Sequence, residues 1–220
     1  MARSRNDDGG VLAGLLVVIV VGIVAYGGYW GYQYWDENQD TTPAAASVPP
    51  GGEKLSGKGV TLVIPRGWSQ DKVSDKELER RYEEFVAVDP DAADKAGVDQ
   101  VVDPAASVAF LAIEDKQSKG REDLNVTVAE PGDTDLTSLQ SALNVLLERS
   151  GARRLKWKSM QLGGVDARQV SFQRKIGDAT LYQRQYFVIG DNVAATLNFS
   201  SLEPIDVAEA DRIADTIRVD

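Results

Sequence analysis

The side chains that most often carry chemistry are missing from this 220-residue chain, which has no cysteine and no histidine. Disulfides, thiolate metal sites, a cysteine nucleophile and a lipid-bearing N-terminal cysteine are therefore excluded. The commonest neutral-pH general base and the commonest zinc ligand are absent too. Catalysis would have to rest on carboxylates, Ser, Thr, Tyr or Lys. The acidic series Asp89, Asp91, Asp94, Asp99 and Asp103 offers the oxygen ligands that calcium takes. Ala93, however, stands where an EF-hand loop needs its third ligand, and no glycine follows it; the series reads as a solvated acidic loop. No Ser-x-x-Lys spacing stands out from chance, and Gly57-Lys58-Gly59 lacks the spacing of a phosphate loop. Asn125-Val126-Thr127 and Asn198-Phe199-Ser200 match the glycosylation triplet, yet both fall in predicted strands and read as ordinary strand residues.

The residues that point to binding are few. Arg153, Arg154, Lys156 and Lys158 form one basic cluster, and an alternating strand would put Lys156 and Lys158 on a single face. That face is either solvated or docks an acidic partner or headgroup. Trp68 and Trp157 lie in the globular part; they either pack at strand ends or meet a partner, where Trp is enriched. Net charge is −10. Before Gly59 stand four basic and six acidic residues, so the remainder carries −8. An acidic body argues against nucleic acid and anionic lipid headgroups as main partners, since both need clustered Lys and Arg. No catalytic residue, metal ligand or cofactor site is assigned.

The elements that must position these residues begin with an uncharged stretch between Asp8 and Asp36. Val11 to Trp30 is twenty residues of nearly continuous apolar sequence. At about 1.5 Å each they span roughly 30 Å, the thickness of a bilayer core. Such a segment must be helical in lipid, because only a helix satisfies its own backbone there. Tyr26, Tyr29, Trp30, Tyr32, Tyr34 and Trp35 gather at its C-terminal end and mark the membrane interface. Arg3 and Arg5 precede the span and acidic residues follow it, which predicts a cytoplasmic N-terminus and an extracytoplasmic body. A cleaved signal peptide would need small residues directly after the apolar core, where Tyr and Trp stand instead; an uncleaved anchor is expected. The expected organisation is a cytoplasmic N-terminus over 1–10, a transmembrane helix over 11–35, a flexible linker over 36–58 and one domain over 59–220.

Within that domain the pattern predicts strands at 60–64, 106–114 and 124–129. Ser74 with Glu77 suggests a capping box opening a helix that buries Leu78, Tyr82, Phe85 and Val86. Thr137 with Gln140 suggests a second, with Leu139, Leu143, Leu146 and Leu147 inward and Gly151 as its stop. A meander follows at 155–162, 165–175, 180–189 and 193–199, joined at glycine turns. Pro204 is expected to open a last helix carrying Ile205, Ala208, Ile213 and Ile217. The fold class is α+β, an antiparallel meander flanked by helices.

Five features together resemble a known family. They are the opening strand ending in Ile64-Pro65-Arg66-Gly67-Trp68, the strand Asn125-Val126-Thr127-Val128, the amphipathic helix after it, Leu162-Gly163-Gly164-Val165-Asp166-Ala167, and a final hairpin followed by a helix. Over about 59–220 this order is similar to the PsbP-like α/β/α sandwich domains, in particular the LpqN/LpqT-type envelope proteins of actinobacteria. Those bacterial relatives are often lipoproteins; here a transmembrane helix would replace the lipid. The resemblance implies a non-enzymatic accessory domain that docks a protein partner at the cell envelope, and it supplies no catalytic residues. A carrier of envelope lipid or another small ligand, and a carboxylate or Ser/Lys enzyme, are the alternatives.

Overall fold

A computed structural model of the protein describes residues 52–72, 74, 76–77, 80, 108–116, 120–131, 135–176 and 178–220. The expected membrane helix and its interface aromatics Tyr26, Tyr29, Trp30, Tyr32, Tyr34 and Trp35 lie outside these residues, as do the acidic series Asp89–Asp103 and the helix face Leu78, Tyr82, Phe85 and Val86. Among the described residues no helix is long and apolar enough to cross a membrane. Ser74 does cap as its spacing suggests, its Oγ accepting from the Glu77 amide at 3.3 Å.

Two antiparallel sheets carry the domain. The small one consists of β1 (Glu53–Gly57), β2 (Val60–Ile64) and β10 (Arg218–Val219), in the order β1-β2-β10. The large one has seven strands: β3 (Trp68–Asp71), β4 (Val108–Glu114), β5 (Asp123–Ala129), β6 (Arg153–Leu162), β7 (Val165–Ile176), β8 (Ala179–Ile189) and β9 (Ala194–Ser201). Their order is β3-β4-β5-β9-β8-β7-β6, which leaves β6 as a ten-residue edge. Helix α1 (Leu136–Arg149) covers one face of the large sheet with Leu139, Leu143 and Leu147 buried. Helix α2 (Val207–Ala214) and the small sheet cover the other.

The pattern of burial explains the layering. All eight residues of β9 are buried, so both of its faces are covered. Ala195, Leu197 and Phe199 face the small sheet and α2, where they join Leu55, Leu62, Ile64, Ile213 and Ile217 in one core. Thr216 ties the layers together: its Oγ1 accepts from the Val63 amide at 2.9 Å and donates to the Ile213 carbonyl at 2.7 Å. The β6–β7 turn is Gly163-Gly164 with φ of +60° and +90°, the left-handed pair that a two-residue hairpin needs.

Several expectations are corrected. Glu53–Gly57 is not linker but β1, paired to β2 and burying Leu55. Its turn places Lys58 at φ +50° before Gly59 at φ +78°, and a lysine in the first left-handed position conceals a hairpin signal. The cap of α1 is Asp135, not Thr137; its carboxylate accepts from the Thr137 and Ser138 amides, and these bonds hold its pKa below the ordinary value. Helix α2 starts after the cap Asp206 rather than at Pro204 and ends before Ile217, where the chain turns into β10.

Glu122 joins the β4–β5 connection to the start of α2. It is 6% exposed, and its Oε1 accepts from the Asp206 amide at 2.6 Å. Burial pushes its pKa up to about 7; the Asp206 amide opposes this, and Glu114, Glu209 and Asp206 add to the rise. Between the unfolded value near 4.5 and about 7 the folded state holds the extra proton, so stability from this group falls as pH rises through that window. Glu122→Gln keeps an oxygen acceptor and removes the titration. Urea unfolding should show the variant close to wild type at pH 4.5 and more stable at pH 8, by on the order of 3 kcal/mol. An equal difference at both pH values would refute this assignment.

Candidate binding cleft

An open cleft of about 510 Å³ lies beside α2 on the face of the large sheet that bears the main core. It runs across the strands from Arg154 and Lys156 on β6, past Ser171 and Gln173 on β7 and Tyr182 and Arg184 on β8, to Pro204, Ile205 and Val207. Strand register brings the polar residues together: Lys156 lies opposite Ser171, and Ser171 opposite Arg184. The chain leading into α2 supplies an apolar lip on which Val207 is 51% exposed.

The floor is a closed hydrogen-bonded network. Arg184 is 7% exposed, and its Nη2 donates to Asp211 Oδ1 at 2.6 Å. Its Nε donates to the Tyr186 hydroxyl at 2.6 Å and its Nη1 to Ser171 Oγ at 2.8 Å. Tyr186 in turn donates to Asp211 Oδ1 at 2.6 Å. Burial works to lower the Arg184 pKa, but the bonds to Asp211 and Tyr186 outweigh it and the net direction is up. The Tyr186 hydroxyl is raised as well, first by burial and then by its bond to Asp211. Neither group exchanges a proton near neutral pH. Ser171 Oγ receives donors from Arg184 and from Gln169 Nε2 at 2.8 Å, and neither is a base that could activate it.

The six residues singled out for partner contact divide. Arg154 and Lys156 line the cleft, whereas Arg153 is exposed at the start of β6 and Lys158 lies one step along from Lys156 on the same face. Trp157 is on the opposite face, its Nε1 donating to Asn144 of α1 at 3.2 Å and its ring 6.1 Å from Phe187. Trp68 is corrected: at 1% exposure, edge-on to Phe199 at 6.0 Å, it is core and cannot meet a partner. Sequence reasoning missed Arg184, Asp211, Ser171, Tyr182 and Val207. The available signal was Tyr182-x-Arg184-x-Tyr186, a cation between two tyrosines on one face of a long strand. The asparagines of both glycosylation triplets, Asn125 and Asn198, are buried within the sheet.

No family model matches the chain, and no curated protein matches it. The structure is similar to LpqN of Mycobacterium tuberculosis, a protein involved in cell envelope biogenesis, with 14% identity, a TM-score of 0.48, and coverage of 86% of this chain and 95% of that one. It is also similar to the cyanobacterial PsbP (CyanoP) of Synechocystis sp. PCC 6803, with 14% identity, a TM-score of 0.48, and coverage of 81% and 98%. A protein of Bacteroides thetaiotaomicron aligns at 12% identity and a TM-score of 0.46 over 77% of this chain, which spans about half (48%) of its length. An LpqN and a PsbP are the two kinds of protein that the sequence resemblance names. None of these likenesses speaks to activity.

Removing the Asp211 charge strands a buried guanidinium. Asp211→Asn should lower stability by about 2 kcal/mol, less than for a fully buried pair because the Asp211 side chain is 30% exposed. Adding Arg184→Met should restore at least half of the loss, since no unpaired charge remains. Equilibrium denaturation of the three proteins checks both, and a double variant no better than the single one would refute the account.

Proposed function

We propose that this chain is a membrane-tethered, extracytoplasmic accessory domain that docks a protein partner at the cell envelope, and that its cleft binds without catalysing a reaction. The observation that carries this is the cleft: a cationic rim, an apolar lip and a floor whose ionisable groups are already paired among themselves. Binding sites need convergent polar groups beside apolar surface. Catalytic ones need, in addition, a nucleophile or proton carrier free to act. Tethering and orientation rest on the uncharged stretch from Val11 to Trp30, the interface aromatics after it, and Arg3 and Arg5 before it.

A small-ligand carrier is the second reading, favoured by the cleft volume of about 510 Å³, which falls in the range of small-molecule sites. The apolar wall is short and open to solvent, which suits a single side chain better than an acyl tail.

Two measurements on cells test the main reading. External protease should remove the body while leaving residues 1–10 protected, with the mature N-terminus still preceding Val11. A photoreactive amino acid in place of Val207 should crosslink to a discrete envelope protein in native membranes. A mature chain beginning after Trp35, or crosslinks to lipid alone, would overturn it.

A further inference from the structure

We infer that the cleft takes an extended segment of a protein partner in which an acidic side chain stands beside a large apolar one; this rests on the docking role proposed above. The first observation is a local reversal of charge. The chain carries −10, yet two exposed cations, Arg154 and Lys156, line the same cleft, and neither forms an ion pair with any described residue. The third cation there, Arg184, is already neutralised by Asp211. The rim is therefore an uncompensated positive site on an otherwise acidic body, and it selects a negative group.

The second observation is how Arg154 is held. The β6–β7 register slips between Arg153 and Lys156, and Arg154 sits in the slip at φ +60°. A bulge of this kind takes glycine by preference, because a Cβ is strained in the left-handed region. An arginine persists there against its own backbone preference, beside the cleft it lines, and such outliers cluster at binding sites.

The third observation fixes the rest of the occupant. Opposite the cations stand Pro204, Ile205 and the half-exposed Val207, enough apolar surface for one Leu or Phe side chain but not for an acyl tail. Between rim and lip lie the side chains of Gln173 and Tyr182, donors and acceptors that suit the amides of an extended backbone. Two cations are too few to follow a nucleic acid backbone. A short acidic–apolar peptide meets all three parts of the cleft.

The full chain, held in nanodiscs of neutral phosphatidylcholine, can be panned against a random peptide library. The enriched peptides should carry Asp or Glu within two positions of Leu, Phe or Trp. They should bind at micromolar levels, as short motifs do, and lose about tenfold in affinity between 50 and 500 mM salt. Lys156→Glu should abolish the binding. Arg154→Gly should weaken it at least fivefold while the thermal midpoint stays the same or rises, because glycine relieves the left-handed backbone; that combination separates lost recognition from lost folding. Enriched peptides without acidic residues, undiminished binding to Lys156→Glu, or displacement by phosphatidylglycerol vesicles where phosphatidylcholine vesicles are inert would each overturn the inference. A discrete protein crosslink at Val207 alongside any of these results would leave the docking role standing, whereas failure of both would remove the two together.

Discussion

A guanidinium enclosed by a sheet and a helix must be neutralised where it stands, and the arrangement around the cleft follows from how Arg184 meets that requirement. Its partners come from three elements: Ser171 on β7, Tyr186 on β8 itself, and Asp211 on α2. The burial of Ile213 and Ile217 stabilises the α2 region by about 2 kcal/mol for each side chain, but apolar burial is not directional. The short bonds from Arg184 and Tyr186 to one carboxylate oxygen are directional. They fix how far α2 lies along β8, and with it where Val207 stands relative to the cations on β6. Core packing holds the helix down; the ion pair sets its position.

The opposite face of the same sheet follows another rule. Asn125, Asn198 and Gln185 stand in register across β5, β9 and β8, all at 3% exposure or less. Gln185 Nε2 donates to Asn198 Oδ1 at 3.1 Å, and Asn198 Nδ2 to Ser200 Oγ at 3.3 Å. Buried amides are costly unless hydrogen-bonded, and this row is satisfied only in part, with Gln185 Oε1 buried without a partner among the described residues. The α1-covered face thus adds a row of polar contacts to its apolar packing under Leu139, Leu143 and Leu147, while the other face is packed mainly by apolar side chains.

Much of this fold was legible because periodicity and turn residues agreed. The meander from β6 to β9, the strand Val60–Ile64 and the helix bearing Leu139, Leu143 and Leu147 all follow from alternation, helical spacing and glycine turns. What escaped was set by distant pairing. β1 is a strand because β2 offers it an edge, and β10 because the chain after α2 returns to that edge's other side. The cleft was half legible. Arg154 and Lys156 stood out as a local cluster, but their neighbours arrive from between 15 and 53 residues away along the chain, brought together by strand register on β7 and β8 and by the segment leading into α2. Trp68 misled because its residue type fits an interface and a core equally well.

The outermost strand gives these cations a second office. β6 offers ten residues of open edge, the length at which one sheet can recruit another, and its Lys156, Lys158 and bulged Arg154 are the devices that discourage such recruitment. Any change that strips positive charge from this border to alter what the cleft accepts also removes a guard against edge-to-edge aggregation. The proposed recognition and the protection of this edge are therefore coupled through Arg154 and Lys156, while Lys158 serves the edge alone.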